Sequence, residues 1–146
     1  MYSLSVVLAL LVGAGLVVQV GFNMAISRAL GSAPAAALVN FLVGALLLLM
    51  LVASLRLEWP TRAQLSAIPL WAWLGGALGA AYVATATFTG PRLGALLLLA
   101  LTVAGQMFAS IIVDHYGLLG FAQQPVTVTR LLGIALLVAG IFLIAR

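Results

Sequence analysis

Polar side chains recur at every fourth position within a long apolar stretch, residues 92–120. They are Thr102, Gln106, Ser110 and Asp114, and His115 follows directly after the last of them. In a helix this spacing places the four side chains along one face, and we call these four residues the polar stripe. Its amides and hydroxyls can bind a ligand through hydrogen bonds, and its terminal carboxylate can also carry charge.

Other amide and hydroxyl side chains interrupt the remaining apolar stretches. Those that matter most are Gln19, Asn23, Asn40 and Thr85. A polar side chain costs free energy in lipid and therefore faces a bundle interior or a water-filled cavity. We expect a solute pathway lined by Gln19, Asn23, Asn40, Thr85, Gln106 and Ser110. The alternative is that these groups only join helices, because interhelical hydrogen bonds contribute about 0.6 kcal/mol each without any substrate.

Asp114 and His115 are the candidates for a gate or a coupling group. Asp114 either ends its helix and pairs with His115 or an arginine, or it titrates and couples protons to transport. We expect no metal site, because the sequence has no cysteine, one histidine and only two carboxylates. No serine or threonine lies in a nucleophile motif and no phosphate-binding glycine loop occurs, so we expect neither catalysis nor a cofactor.

The composition is that of a protein dissolved in lipid. Of 146 residues, 66% are hydrophobic and 5% are charged, whereas roughly a quarter of residues are charged in soluble domains. The net charge of +4 comes from six arginines against Glu58 and Asp114. These arginines stand singly at the ends of apolar runs, which is typical of membrane anchoring and argues against a nucleic-acid surface.

The apolar runs predict one all-α membrane domain of five spans. Their approximate ranges are 4–26, 34–55, 70–90, 93–113 and 128–145. Pro34 suits the first turn of the second span, and the polar stretch 56–69 reads as a surface loop. A continuous helix over residues 70–113 would be about 66 Å long, far more than the roughly 30 Å of a bilayer core. We therefore expect the chain to turn back at Gly90–Arg92.

Five spans place the arginines evenly on the two sides of the membrane. Arg56, Arg62 and Arg130 fall on the side of the N-terminus, against Arg28, Arg92 and Arg146 on the other side. The positive-inside rule then favours neither orientation. One interpretation is that the chain inserts both ways and pairs with an inverted copy of itself. The other is that partners or weaker signals set its orientation.

The chain resembles the YdcZ-like family of inner-membrane exporters, within the drug/metabolite transporter superfamily. The resemblance runs through the segments GLVVQVGFNMAISRALGSAPAAALVNFLVGALLLL, WAWLGGALGAAYVATATFTGPRLGALLLL, AGQMFASIIVDHYGLLG and RLLGIALLVAGIFLIA. The most specific part is GQ followed by S and then DHYG. The resemblance implies a bacterial inner-membrane unit similar to one half of the ten-span transporters, working as an antiparallel, dual-topology homodimer by alternating access.

The resemblance also bears on the solute. The related four-span small multidrug resistance transporters carry a proton-exchanging glutamate in their first span, where this sequence has only neutral Gln19 and Asn23. We therefore expect an uncharged or zwitterionic small solute in place of a cationic drug. The rival interpretation is a non-transporting membrane subunit, either structural or the accessory half of a pair with a related protein.

Overall fold

The computed structural model describes residues 2–146, and their side chains from Leu4 onward. Its elements are helical: α1 (Tyr2–Leu30), α2 (Ala33–Ser54), α3 (Arg62–Ser66), α4 (Leu74–Tyr116) and α5 (Val128–Ile144), with short 3₁₀ turns at Leu70–Trp73 and Leu118–Gly120. The described chain forms two compact units, which divide between Pro91 and Arg92.

α1 and α2 form a helical hairpin with a two-residue connection. Gly31 has φ 68°, the left-handed conformation that closes a helix end, and the Ser32 amide donates to the Ser27 carbonyl over 3.2 Å. The Ser32 hydroxyl then caps α2 by accepting from the Ala35 amide. Pro34 lies in the first turn of α2, where a missing N–H has no cost. The short connection makes α1 and α2 antiparallel neighbours.

α2 ends in a polar segment that carries α3. Arg56 adopts φ 51°, and the Leu57 amide donates back to the Val52 carbonyl, which completes a left-handed C-terminal cap. Thr61 and Gln64 form a reciprocal capping box at the start of α3. Every residue from 53 to 78 is exposed, a range that contains the polar stretch 56–69 and the beginning of the predicted third span.

α4 is interrupted at Gly94. This residue has φ 75° and ψ 162°, a combination open essentially to glycine alone, so that α4 consists of helical segments 74–93 and 95–116. The sequence predicted the interruption at Gly90–Arg92, but these residues are helical and the break lies two residues beyond Arg92. Proline's fixed φ is compatible with a helix, whereas the positive φ of the break requires a glycine.

Within the described chain, three helices are long and apolar enough to cross a membrane: Leu4–Leu30, Ala33–Ser54 and Leu70–Tyr116. Val128–Ile144 is a shorter apolar helix. Most leucines of α1 and α2 are exposed, which suits helices whose outer surface contacts acyl chains. The core of the first unit is small, and its buried apolar residues are Ala36, Ala37, Val83 and Ala86.

Candidate functional site

In the first unit the structure brings together two of the predicted pathway residues, Gln19 on α1 and Asn40 on α2. The Gln19 Nε2 donates to the Asn40 Oδ1 over 3.5 Å, at the long end of the hydrogen-bonding range. Both side chains are half-buried. Ala36 and Ala37, 0% and 3% exposed, lie one turn earlier on α2, where small side chains permit close helix approach. A bond of this kind is expected if the polar side chains only join helices, which is the alternative to a solute pathway.

Asn23, one helical turn beyond Gln19, is more deeply buried than either of them. Its side chain is 2% exposed, and its Oδ1 accepts no hydrogen bond from the described residues. Buried polar atoms in folded proteins nearly always have a partner. Asn23 therefore differs from Gln19 and Asn40, because packing of the first unit alone leaves its oxygen unsatisfied.

Two threonines of α4, Thr85 and Thr87, differ in burial. Thr85, a predicted pathway residue, is exposed, whereas Thr87 is 2% exposed. The Thr87 hydroxyl donates to the Val83 carbonyl of its own helix over 2.7 Å. Val83, Thr87 and Gly90, all buried, recur at helical spacing and share one face. That spacing of apolar and small residues is the sequence signal that could have identified Thr87.

In the second unit the polar stripe faces open grooves. Gln106, Ser110 and Asp114 line one groove of about 250 Å³ together with Leu119 and Phe121. The Gln106 and Ser110 side chains are exposed and form no hydrogen bond with other described residues. Thr102 differs, because its hydroxyl donates to the Leu98 carbonyl over 2.8 Å and is satisfied within its own helix. Two of the four stripe residues, Gln106 and Ser110, are thus free to bind a ligand.

Ser110 and Asp114 also line a second groove, of about 230 Å³. Its other walls are Met107, Ile111, Arg130, Gly133 and Ile134. Drug-sized pockets usually measure roughly 300–1,000 Å³, so each groove suits a small solute or one part of a larger one. Each has an apolar wall and a polar edge, which is the ordinary pattern of a small-molecule site.

Asp114 is the centre of an ion-pair cluster between α4 and α5. Its Oδ2 lies 3.4 Å from the Arg130 Nη1, and both side chains are about one-third exposed, at 30% and 36%. Arg130 also donates to Gln124, through Nη1 to the backbone carbonyl and through Nη2 to the side-chain oxygen. The Gln124 backbone N–H donates to the backbone carbonyl of Asp114 over 2.7 Å. Of the two partners expected for Asp114, His115 or an arginine, the structure shows the arginine.

His115 is held by the loop that joins α4 to α5. Its Nδ1 accepts from the Val126 amide at 3.4 Å, and its carbonyl accepts from the Gln123 Nε2 at 3.0 Å. Its ring lies edge-on to Tyr116, with centroids 4.8 Å apart. Among the described residues no group of three or more histidine, cysteine, aspartate or glutamate side chains could hold a metal. His115 positions the loop next to the Asp114 cluster.

The fold defines an all-helical integral membrane protein, built from long apolar helices with polar residues on restricted faces. The chain belongs to the family described as "Putative inner membrane exporter, YdcZ", which matches residues 4–143. The family resemblance read from the sequence is thereby confirmed, and the protein is placed in the inner membrane. Searches of curated proteins and of solved structures found no match.

Proposed function

We propose that the protein exports a small uncharged or zwitterionic solute by alternating access, as an antiparallel homodimer of five-span subunits. The break at Gly94 supports five spans, because the helical stretch Leu70–Tyr116 has 47 residues and would be about 70 Å long if straight. A bilayer core is only about 30 Å thick. Two spans within this stretch, together with α1, α2 and α5, make five.

One observation carries the transport proposal: the Gln106 and Ser110 side chains are unpaired within the described chain and line an open groove. A residue that only joins helices of its own subunit would have a partner there, as Gln19 and Asn40 do. Unpaired amides and hydroxyls on an apolar helix suit a solute that passes along them. In this proposal Gln19, Asn23, Asn40, Thr85, Gln106 and Ser110 line the pathway.

The Asp114 cluster serves as the gate in this proposal, and His115 positions it. The Asp114–Arg130 pair borders the same grooves as Ser110, so separation of the pair would open that end of the path. A gate must have two arrangements of similar free energy, and a partly exposed ion pair is weak enough to alternate between them.

The odd number of spans and the three-against-three arginine distribution support the antiparallel pairing. An odd-span unit can form an inverted repeat with a second copy only if the two copies insert in opposite orientations. The positive-inside rule usually selects one orientation of insertion. Equal numbers of arginines on the two sides remove this preference, so that both orientations can occur.

The test is solute flux through the purified protein, reconstituted alone in liposomes and offered a panel of labelled neutral and zwitterionic solutes. We expect flux of at least one solute, its loss in Gln106→Leu, and normal flux in Thr102→Val, whose hydroxyl is satisfied by its own helix. The Gln106→Leu dimer should remain folded. Flux that appears only after a related partner protein is added would favour the accessory-subunit alternative.

A further inference from the structure

Among the described residues of the first unit, the side-chain oxygen of Asn23 is a buried polar atom that lacks a partner. The side chain is 2% exposed and its Oδ1 has no hydrogen-bond partner among the described residues. A buried acceptor left unpaired destabilises the protein that contains it, more than an apolar side chain in the same place would. An asparagine here therefore needs an explanation other than packing.

The neighbours of Asn23 indicate the chemistry of a binding site. Gln19 lies one turn earlier on the same face of α1, and its amide is already engaged with Asn40 across the hairpin. Neither α1 nor α2 contains an acidic residue, and Arg28 near the end of α1 is the single charged side chain of the two helices. A buried ammonium group would have no counter-charge on these helices and would be costly in the membrane.

We propose that Asn23 Oδ1 is the acceptor of a binding site for the hydroxyl or amide N–H group of an uncharged solute. The absence of an acidic residue from α1 and α2 selects against a cationic group, and the free oxygen requires a donor. That this solute is the exported one rests on the proposed function. Binding is measured separately from flux, so that failure of the site and failure of transport are distinguishable.

The first experiment compares the two asparagines by thermal unfolding of the detergent-purified protein. Asn40→Ala removes a partner of Gln19 and should lower the Tm by about 1–3 °C. Asn23→Ala removes an unsatisfied group, and Asn23→Val does so without leaving a cavity. At least one of these two variants should have a Tm equal to or above that of the wild type. A fall in both would overturn the proposal, because it would show that Asn23 is a structural residue or holds a structural water.

The second experiment uses two probes that differ in one donor, N-methylacetamide and N,N-dimethylacetamide. N-methylacetamide should raise the Tm of the wild type more than it raises the Tm of the more stable Asn23 variant. The difference between the two shifts should reach a plateau as the concentration of N-methylacetamide increases. N,N-dimethylacetamide, which lacks the N–H, should affect both proteins equally. Any general solvent effect cancels in the comparison. Equal behaviour of the two probes would overturn the assignment of Asn23 as an acceptor site.

Discussion

Gly94 determines whether the stretch Leu70–Tyr116 is one helix or two, and Gly94→Ala tests it directly. The residue has φ 75° and ψ 162°, and a Cβ built on it meets nothing within 4 Å. The cost of an alanine is therefore backbone strain alone, about 1–3 kcal/mol for a non-glycine residue in this region. Loss of the break would also recreate a helix that is too long for the membrane.

Gly105→Ala is the matched control. Gly105 lies in the same helix, has no positive φ, and also has open space around a built Cβ. Alanine is favoured over glycine in a helix by about 0.8–1 kcal/mol, so this variant should be slightly stabilised. The two substitutions add the same methyl group but should change the free energy of unfolding in opposite directions. The resulting difference between the two variants is about 2–4 kcal/mol.

The assay is thermal unfolding of the purified protein followed by circular dichroism at the helical band. A difference of that size corresponds to roughly 4–16 °C in Tm between the two variants. If Gly94→Ala is as stable as Gly105→Ala, the backbone at position 94 is helical. The break that supports five spans would then be refuted.

Three further predictions concern residues whose surroundings are settled by the structure. Asp114→Asn should lower stability by about 0.2–1 kcal/mol, with a smaller loss at high salt, and Arg130→Gln should show the same salt dependence in a thermal denaturation series. Gly117→Ala should cost about 1–2 kcal/mol, because its φ is 61° and a Cβ there would lie 3.3 Å from the Gln123 Cβ; an unchanged Tm would contradict this geometry. Thr87→Ser should cost about 0.5–1.5 kcal/mol through loss of a buried methyl group, whereas Thr85→Ser at an exposed position should stay within about 0.5 kcal/mol; equal effects would contradict the assignment of the buried face.

Hydropathy and local turn signals place two of the helices of this chain to within a few residues. The predicted second span, 34–55, corresponds to helix Ala33–Ser54, and the predicted fifth span, 128–145, to Val128–Ile144. Pro34 lies in the first helical turn, as expected. These features depend on residues close in sequence, which is why composition and capping preferences are sufficient to place them.

The position of the α4 break was harder to predict, because two signals compete there. Gly90, Pro91 and Arg92 interrupt the apolar run, yet Pro91 is accommodated in the helix and the positive φ falls on Gly94. Proline marks a weak point in a helix, whereas glycine determines where the backbone can leave it. Sequence spacing does not say which of the two prevails.

The structure shows contacts for several of the candidate residues but does not test their proposed roles. Gln19 and Asn40 meet across the hairpin, and Asp114 pairs with an arginine. Spacing did not reveal that Thr87 is buried and Thr85 exposed, since in an apolar helix a hydropathy pattern does not separate the packed face from the lipid face. The pathway roles of the polar residues stay predictions.

The orientation of the subunit in the membrane tests the proposed antiparallel dimer directly. The chain has no cysteine, so a single Ala63→Cys substitution in α3, where residue 63 is exposed, gives a unique label site. Cells or sealed vesicles are treated with an impermeant thiol reagent from each side, and labelling after permeabilisation gives the total. The antiparallel dimer predicts that the thiols divide about evenly between the two sides. Labelling from one side alone would contradict the self-inverted dimer and would require a partner of opposite topology.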